Sequence, residues 1–172
     1  MTPETRGVIT LAMNKSNSGF TLVELMLTLT IAGIVLSFGV PAFTDVIRNN
    51  RLSTQTNELI AAINMARSEA VRRGANVTLC TSTDQSSCTG ASWQQGWIIL
   101  DSNNQVLRIG SALHGTTTVT SSANTLTYTP RGFLNGGAAV SMVICNTTGK
   151  PGRQINITAT GRPTNVSPQP GC

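Results

Sequence analysis

The run from Phe20 to Val40 constrains this chain more than any other feature. It holds 21 residues, apolar apart from a few hydroxyls and one carboxylate, Glu24. As a helix it would measure about 31 Å, which matches the hydrocarbon thickness of a bilayer. The sequence therefore predicts a transmembrane helix over residues 20–40. A cleaved secretory signal would end in a cut site with small residues after the apolar stretch. The residues at that point read "VPAFTDVIRNN", polar-amphipathic and helical in period. The alternative is a cut before the run, after Gly19, which would leave the apolar helix on the mature chain.

The helical pattern continues beyond the span. Leu52, Thr56, Leu59, Ile60, Ile63, Ala66 and Ala70 recur at three- and four-residue spacing, while Arg48, Arg51, Glu58, Glu69, Arg72 and Arg73 fall mostly on other faces. "ARSEAVRRG" supplies a basic last turn and then Gly74 as a C-terminal cap. From Phe20 to Arg73 this makes 54 residues, about 80 Å if straight. Pro41 lacks an amide donor, and Gly33 and Gly39 weaken helix propensity, so the helix is expected to kink between Gly33 and Pro41.

Past Gly74 the texture changes to short β-rich runs: "ANVTLCTS", "GWIILDS", "VLRIGS", "TLTYTP", "AVSMVICNT" and "RQINITATG", with "DSNNQ" and "TTGKPG" as turns. The fold class expected is α+β, with one antiparallel sheet packed on Leu59, Ile60, Ile63 and Ala66. "HGTTTVTSSANT" reads as a mobile or edge segment. Trp93 and Trp97 read as core residues rather than a ligand platform. The organisation expected is a leader at 1–19, the span at 20–40, an amphipathic continuation at 41–74 and a β-rich head at 75–172.

Charge and cysteine usage narrow the function. After Asp101 no acidic side chain occurs in the remaining 71 residues, which carry Arg108, Arg131, Lys150, Arg153 and Arg162. A one-sided positive domain favours anionic partners, although solubility alone also accounts for so few charges. Cys80, Cys88, Cys145 and Cys172 form no Cys-x-x-Cys pair, and the single histidine, His114, has no nearby ligand partner. Zinc does not fit such a set; disulfides in an oxidising compartment do. Of three connectivities, Cys80–Cys88 and Cys145–Cys172 are expected, because each pair is close in sequence and the second ties down the tail. Their loops are worth about 2.5 and 3.5 kcal/mol by chain entropy.

"GFTLVELMLTLTIAGIVLSFGVP" resembles the N-terminus of type IV pilins and type II secretion pseudopilins. The resemblance implies that a prepilin peptidase cuts between Gly19 and Phe20 and methylates the new amine of Phe20. It also implies that the stretch from Gly33 to Pro41 can unwind on filament assembly. Glu24 then has two readings. Lying in the first helical turn, it is favoured by the macrodipole and by nearby water. Alternatively it awaits the Phe20 amine of a neighbouring subunit, where loss of one partner would leave a buried charge uncompensated. Arg6 and Lys15 before the span nearly balance Arg48 and Arg51 after it, so the cysteines decide that the head lies outside the cytoplasm.

The head adds resemblance to a subgroup. "ARSEAVRRG", "WQQGWIILD", "VLRI", "YTPRGF" and "ICNTTGKPGRQINITATGRP", in that order, are similar to minor pilins of the FimU/FimT type and to H-type pseudopilins. One His and two head carboxylates, Asp84 and Asp101, furnish neither a nucleophile–base pair nor a glycosidase dyad, and "GKPGR" is not a phosphate loop. No enzyme and no cofactor are expected. The resemblance implies a minor pilin that helps to initiate a type IV pilus, anchored once in the inner membrane with a periplasmic head and later carried in the pilus at the cell surface. Its partners would be other minor and major pilins, the inner-membrane assembly machinery and prepilin peptidase. A second expectation is contact with DNA during natural transformation through Lys150, Arg153 and Arg162, although the tail has only Arg162 where DNA-binding relatives carry several basic residues. A third is a minor pseudopilin of a type II secretion system.

Overall fold

The computed structural model describes residues 19–146, 150–169 and 172. Apart from Gly19, the expected leader, with Arg6 and Lys15, lies outside the described residues. So does the first half, residues 147–149, of the turn expected at "TTGKPG". The chain divides into two compact units, Met1–Phe43 and Thr44–Cys172, and one helix, α1 (Leu22–Arg73), contributes to both.

In the first unit the large apolar side chains of α1 are exposed, from Leu22 at 73% to Phe38 at 76%. Such a surface calls for lipid or other apolar chains to cover it. Its hydroxyls do not spoil it, because each is spent on the helix itself. Thr28 donates to the Leu25 carbonyl (2.9 Å), Thr30 to Met26 (2.7 Å) and Ser37 to Ile34 (2.7 Å). The backbone stays helical through Gly33, Gly39 and Pro41. A Cβ on Gly33 or Gly39 would meet nothing within 4 Å, so packing within this chain demands neither glycine.

In the second unit the helical period puts Leu52, Thr56, Leu59, Ile63, Ala66 and Ala70 on one buried face, with Ile60 half-buried beside it. Gly74 ends the helix at φ +63°, where only glycine is unstrained, and donates its N–H to the Val71 carbonyl (3.4 Å). The head then builds two four-stranded antiparallel sheets rather than the single sheet expected. In the first, β1 (Val77–Thr81) lies between β2 (Trp97–Leu100) and β5 (Thr125–Tyr128), and β3 (Val106–Gly110) flanks β2. In the second, β6 (Val140–Cys145) lies between β4 (Thr118–Ser121) and β7 (Gly152–Ile157), and β8 (Pro163–Gln169) flanks β7. The chain changes sheets between β3 and β4, between β4 and β5 and between β5 and β6, the second time within the Thr- and Ser-rich segment. β4 is an edge strand, one of the two alternatives read for that segment.

Both sheets bury apolar rows in one core with the α1 face. Val77, Leu79, Ile99, Leu126 and Tyr128 come from the first sheet, and Val119, Met142, Ile144, Ile155 and Ile157 from the second. Trp93 and Trp97 are each 1% exposed within this core, and the Trp93 indole N–H donates to the Ala123 carbonyl (2.9 Å). On the outer face of the first sheet, Cys80, Ile98 and Leu100 form a second small cluster.

Cys80 is bonded to Cys88, and Cys145 to Cys172. The second bridge joins the end of β6 to the chain beyond β8 and lies across Gly152. A Cβ there would overlap Cys172 Sγ and sit 2.7 Å from the Ile144 carbonyl oxygen, so the residue under the bridge has to be glycine. The tail, expected to be loose but for its disulfide, is therefore a paired edge strand.

Candidate functional site

Three places carry the residues singled out above: the start of α1, the end of the second sheet nearest Asp45, and the far end of that sheet. Gly19 and Phe20 precede α1, and Phe20 is 79% exposed. A Cβ on Gly19 would meet nothing within 4 Å, so nothing in the fold calls for glycine there. Thr21 caps the helix: its Oγ1 accepts the backbone N–H of Glu24 (3.2 Å), and its carbonyl accepts that of Leu25 (3.1 Å). Threonine with glutamate three positions later is the pattern of a helix start. Glu24 thus sits in the first turn with its side chain exposed, and the capping hydroxyl fixes its backbone.

The second place is a cleft of about 520 Å³ whose lining includes Asp45, Arg48 and Asn49 of α1, Lys150, and Arg153 and Ser167 of β7 and β8. Strand periodicity explains why an arginine reaches it. Arg153, Ile155 and Ile157 share one face of β7, and Arg153 stands opposite Ile144 in the ladder. It is thus the end member of a core-facing row, at the point where the sheet reaches α1. Its Nη2 donates to Ser53 Oγ (2.8 Å) and approaches Asn49 Oδ1 (3.5 Å), and its Nη1 donates to Ser167 Oγ (2.9 Å). Its Nε–H is buried with no acceptor among the described residues. Lys150 pairs with Asp45 (3.3 Å), which also lies 3.9 Å from Arg48.

Arg162 belongs to the third place. It precedes β8 and exchanges hydrogen bonds with Thr158, just past the Ile157 end of β7, whereas Arg153 lies at the Gly152 end. Five residues of strand put about 17 Å between them. The structure brings Lys150 and Arg153 together at one cleft, and Arg162 stands at the far end of β7. The length of β7 separates Arg162 from Arg153, since "RQINITATGR" runs from the Gly152 end of the strand to the turn that follows Ile157. Sequence reasoning passed over Asp45, Asn49, Ser53 and Ser167. The available signal was the pair Arg48 and Arg51 directly after the span.

Two acids outside these places are held as anions by local donors. Asp84, inside the Cys80–Cys88 loop, accepts the Ser87 hydroxyl, the backbone N–H groups of Ser87 and Ser86, and the Ser82 hydroxyl, which hold its pKa well below the usual carboxylate range. Glu69 is lowered from 4.5 to about 2 by hydrogen bonds from Arg72 and then Arg73. Arg73 continues to Asp101 (3.3 Å), tying the last turn of α1 to the end of β2. Among the described residues no three His, Cys, Asp or Glu side chains gather as metal ligands.

Residues 55–161 match the family model of the type II transport protein GspH, and residues 14–40 match the prokaryotic N-terminal methylation motif. Among solved structures, the type IV minor pilin FimU of Pseudomonas aeruginosa has a TM-score of 0.59 at 27% identity, over 69% of this chain and 90% of that chain. A second crystal form of the same protein gives 0.55 at 27%, over 66% and 91%. The minor pseudopilin EpsH from the type II secretion system of Vibrio cholerae has a TM-score of 0.51 at 8% identity, over 67% and 96%, a likeness of fold alone.

Proposed function

This chain belongs to the GspH family of type II transport proteins, and on that premise we propose that it is a minor pilin of a type IV pilus that helps to start filament assembly. At the coarser level it is a minor pilin or pseudopilin, a structural subunit and not an enzyme. The single observation favouring the pilus is the identity to FimU, 27% over nine-tenths of that chain, against 8% to the pseudopilin.

Each part of the chain has its own role in this reading. Prepilin peptidase cuts between Gly19 and Phe20 and methylates the Phe20 amine. The exposed apolar surface of α1 holds the subunit in the inner membrane, with the head on the periplasmic side, until neighbouring pilins replace lipid around it. Glu24 then pairs with the Phe20 amine of a neighbour. In an apolar surrounding an unmatched charge is strongly unfavourable, so the pair sets axial register. Unwinding between Gly33 and Pro41 accompanies assembly. Other minor and major pilins meet the head. Contact with DNA has no observation in its favour, and Arg162 stands apart from Lys150 and Arg153.

The test is deletion in the native organism, with surface pili and secreted enzymes measured side by side. Loss of pili with normal secretion is expected. Loss of secretion with intact pili would assign the chain to the secretion system instead.

A further inference from the structure

We propose that the cleft between α1 and the Arg153 end of the second sheet binds a phosphate anion, supplied by the headgroup of an anionic phospholipid in the leaflet from which the head emerges. Charge is the first ground. Arg48, Lys150 and Arg153 face a single carboxylate, Asp45, leaving two net positive charges around one cleft. Arg48 and Lys150 share Asp45 but are more than half exposed, so these solvent-screened ion pairs are weak and can be exchanged for a ligand.

The second ground is preorganisation. Among the described residues no carboxylate lies within ion-pair distance of Arg153. Its planar head is held by the neutral hydroxyls of Ser53 and Ser167, which fix its direction without cancelling its charge. A guanidinium set in this way suits a phosphate better than a free one, because less rotamer freedom is lost on binding. The apolar lining from Val46, Leu52 and Pro151 matches the first methylenes of a lipid's acyl chains rather than a bare ion.

The third ground is position in the chain. Arg48 lies only eight residues beyond Val40 in the sequence. Basic residues just after a span are attracted to anionic headgroups, an attraction that fades beyond a Debye length. A nucleic acid would need cations strung along its backbone, and Arg162 lies at the other end of β7.

The experiment uses the full chain, 15N-labelled, in micelles of an uncharged maltoside detergent, and tracks the Arg153 Nε–H resonance. The titrants are dihexanoyl phosphatidylglycerol, dihexanoyl phosphatidylcholine, inorganic phosphate and a single-stranded oligothymidylate. A saturable shift is expected with phosphatidylglycerol, at least tenfold tighter than with phosphatidylcholine or phosphate. Lys150→Gln, an exposed change that leaves the fold intact, should weaken it about fivefold. Arg153→Gln should abolish binding, with thermal unfolding run alongside to verify the fold. No saturable shift with phosphatidylglycerol, equal binding of either comparison compound, or binding of the oligonucleotide alone would overturn the proposal.

Discussion

Removing the Cys145–Cys172 bridge by Cys145→Ser with Cys172→Ser tests how the tail is held. The bridged residues are 27 apart, and closing a loop of that length removes about 3.5 kcal/mol of unfolded-chain entropy. The second unit, Thr44–Cys172, has about 130 residues and unfolds with an entropy of about 270 cal/mol/K, so the loss should lower its Tm by about 13 °C. The full chain in uncharged micelles is heated while tryptophan emission is recorded. Trp93 and Trp97 are both buried in the head core and report its melting. Gly152→Ala probes the same contact from the other side. Its Cβ would strike Cys172 Sγ and the Ile144 carbonyl, an overpacking expected to cost about 1–3 kcal/mol. In the bridge-free background part of that cost should vanish, because the smaller, untethered serine hydroxyl that replaces the Cys172 sulfur can move away while the carbonyl cannot. The two changes are therefore non-additive. If the bridge is worth under about 1 kcal/mol, or if Gly152→Ala costs the same with and without it, the tail is not held in the way described.

Ile63 is fully buried on the α1 face that meets both sheets. Ile63→Ala should cost about 2–5 kcal/mol in denaturant unfolding, and Asn57→Ala on the exposed face less than about 0.5 kcal/mol. Glu69 and Asp84 have folded-state pKa values below their unfolded ones, so their contribution is complete above about pH 4.5 and is lost as pH falls toward 2. Acid titration of the melting temperature should therefore descend through that window, less steeply in Glu69→Gln; an unchanged slope would discount the arginine contacts. Glu24→Gln should leave cleavage and methylation of Phe20 intact by mass spectrometry while depleting the subunit from sheared filaments. Normal incorporation would remove the pairing role.

The sequence made α1 and its buried face legible because period and burial coincide from Leu52 to Ala70, with Gly74 as an unambiguous stop. The strands were legible wherever β-branched residues cluster, as at "VSMVIC" and "RQINI". The division into two sheets was not, because it depends on pairings such as Leu79 with Leu126 and Val119 with Ile144, far apart along the chain and alike in composition. β8 escaped because "PTNVSPQ" carries two prolines and no apolar alternation. An edge strand tolerates both, since one of its sides needs no hydrogen-bonded neighbour. Arg153 looks in the sequence like one more scattered basic residue. Its hold on Ser53 joins residues 100 positions apart, and only the register of β7 against β6 shows that it points toward the helix.

The hydroxyls of Thr28, Thr30 and Ser37 turn inward on their own carbonyls, so the rod they belong to shows neighbours a surface with almost no directional groups. One carboxylate near its tip can stop such a rod from sliding, but it does little to stop it from spinning. Azimuth in a filament would then be chosen by whatever the heads present to one another. Changes on the head surface should alter the rotation between successive subunits while leaving the spacing along the fibre unchanged.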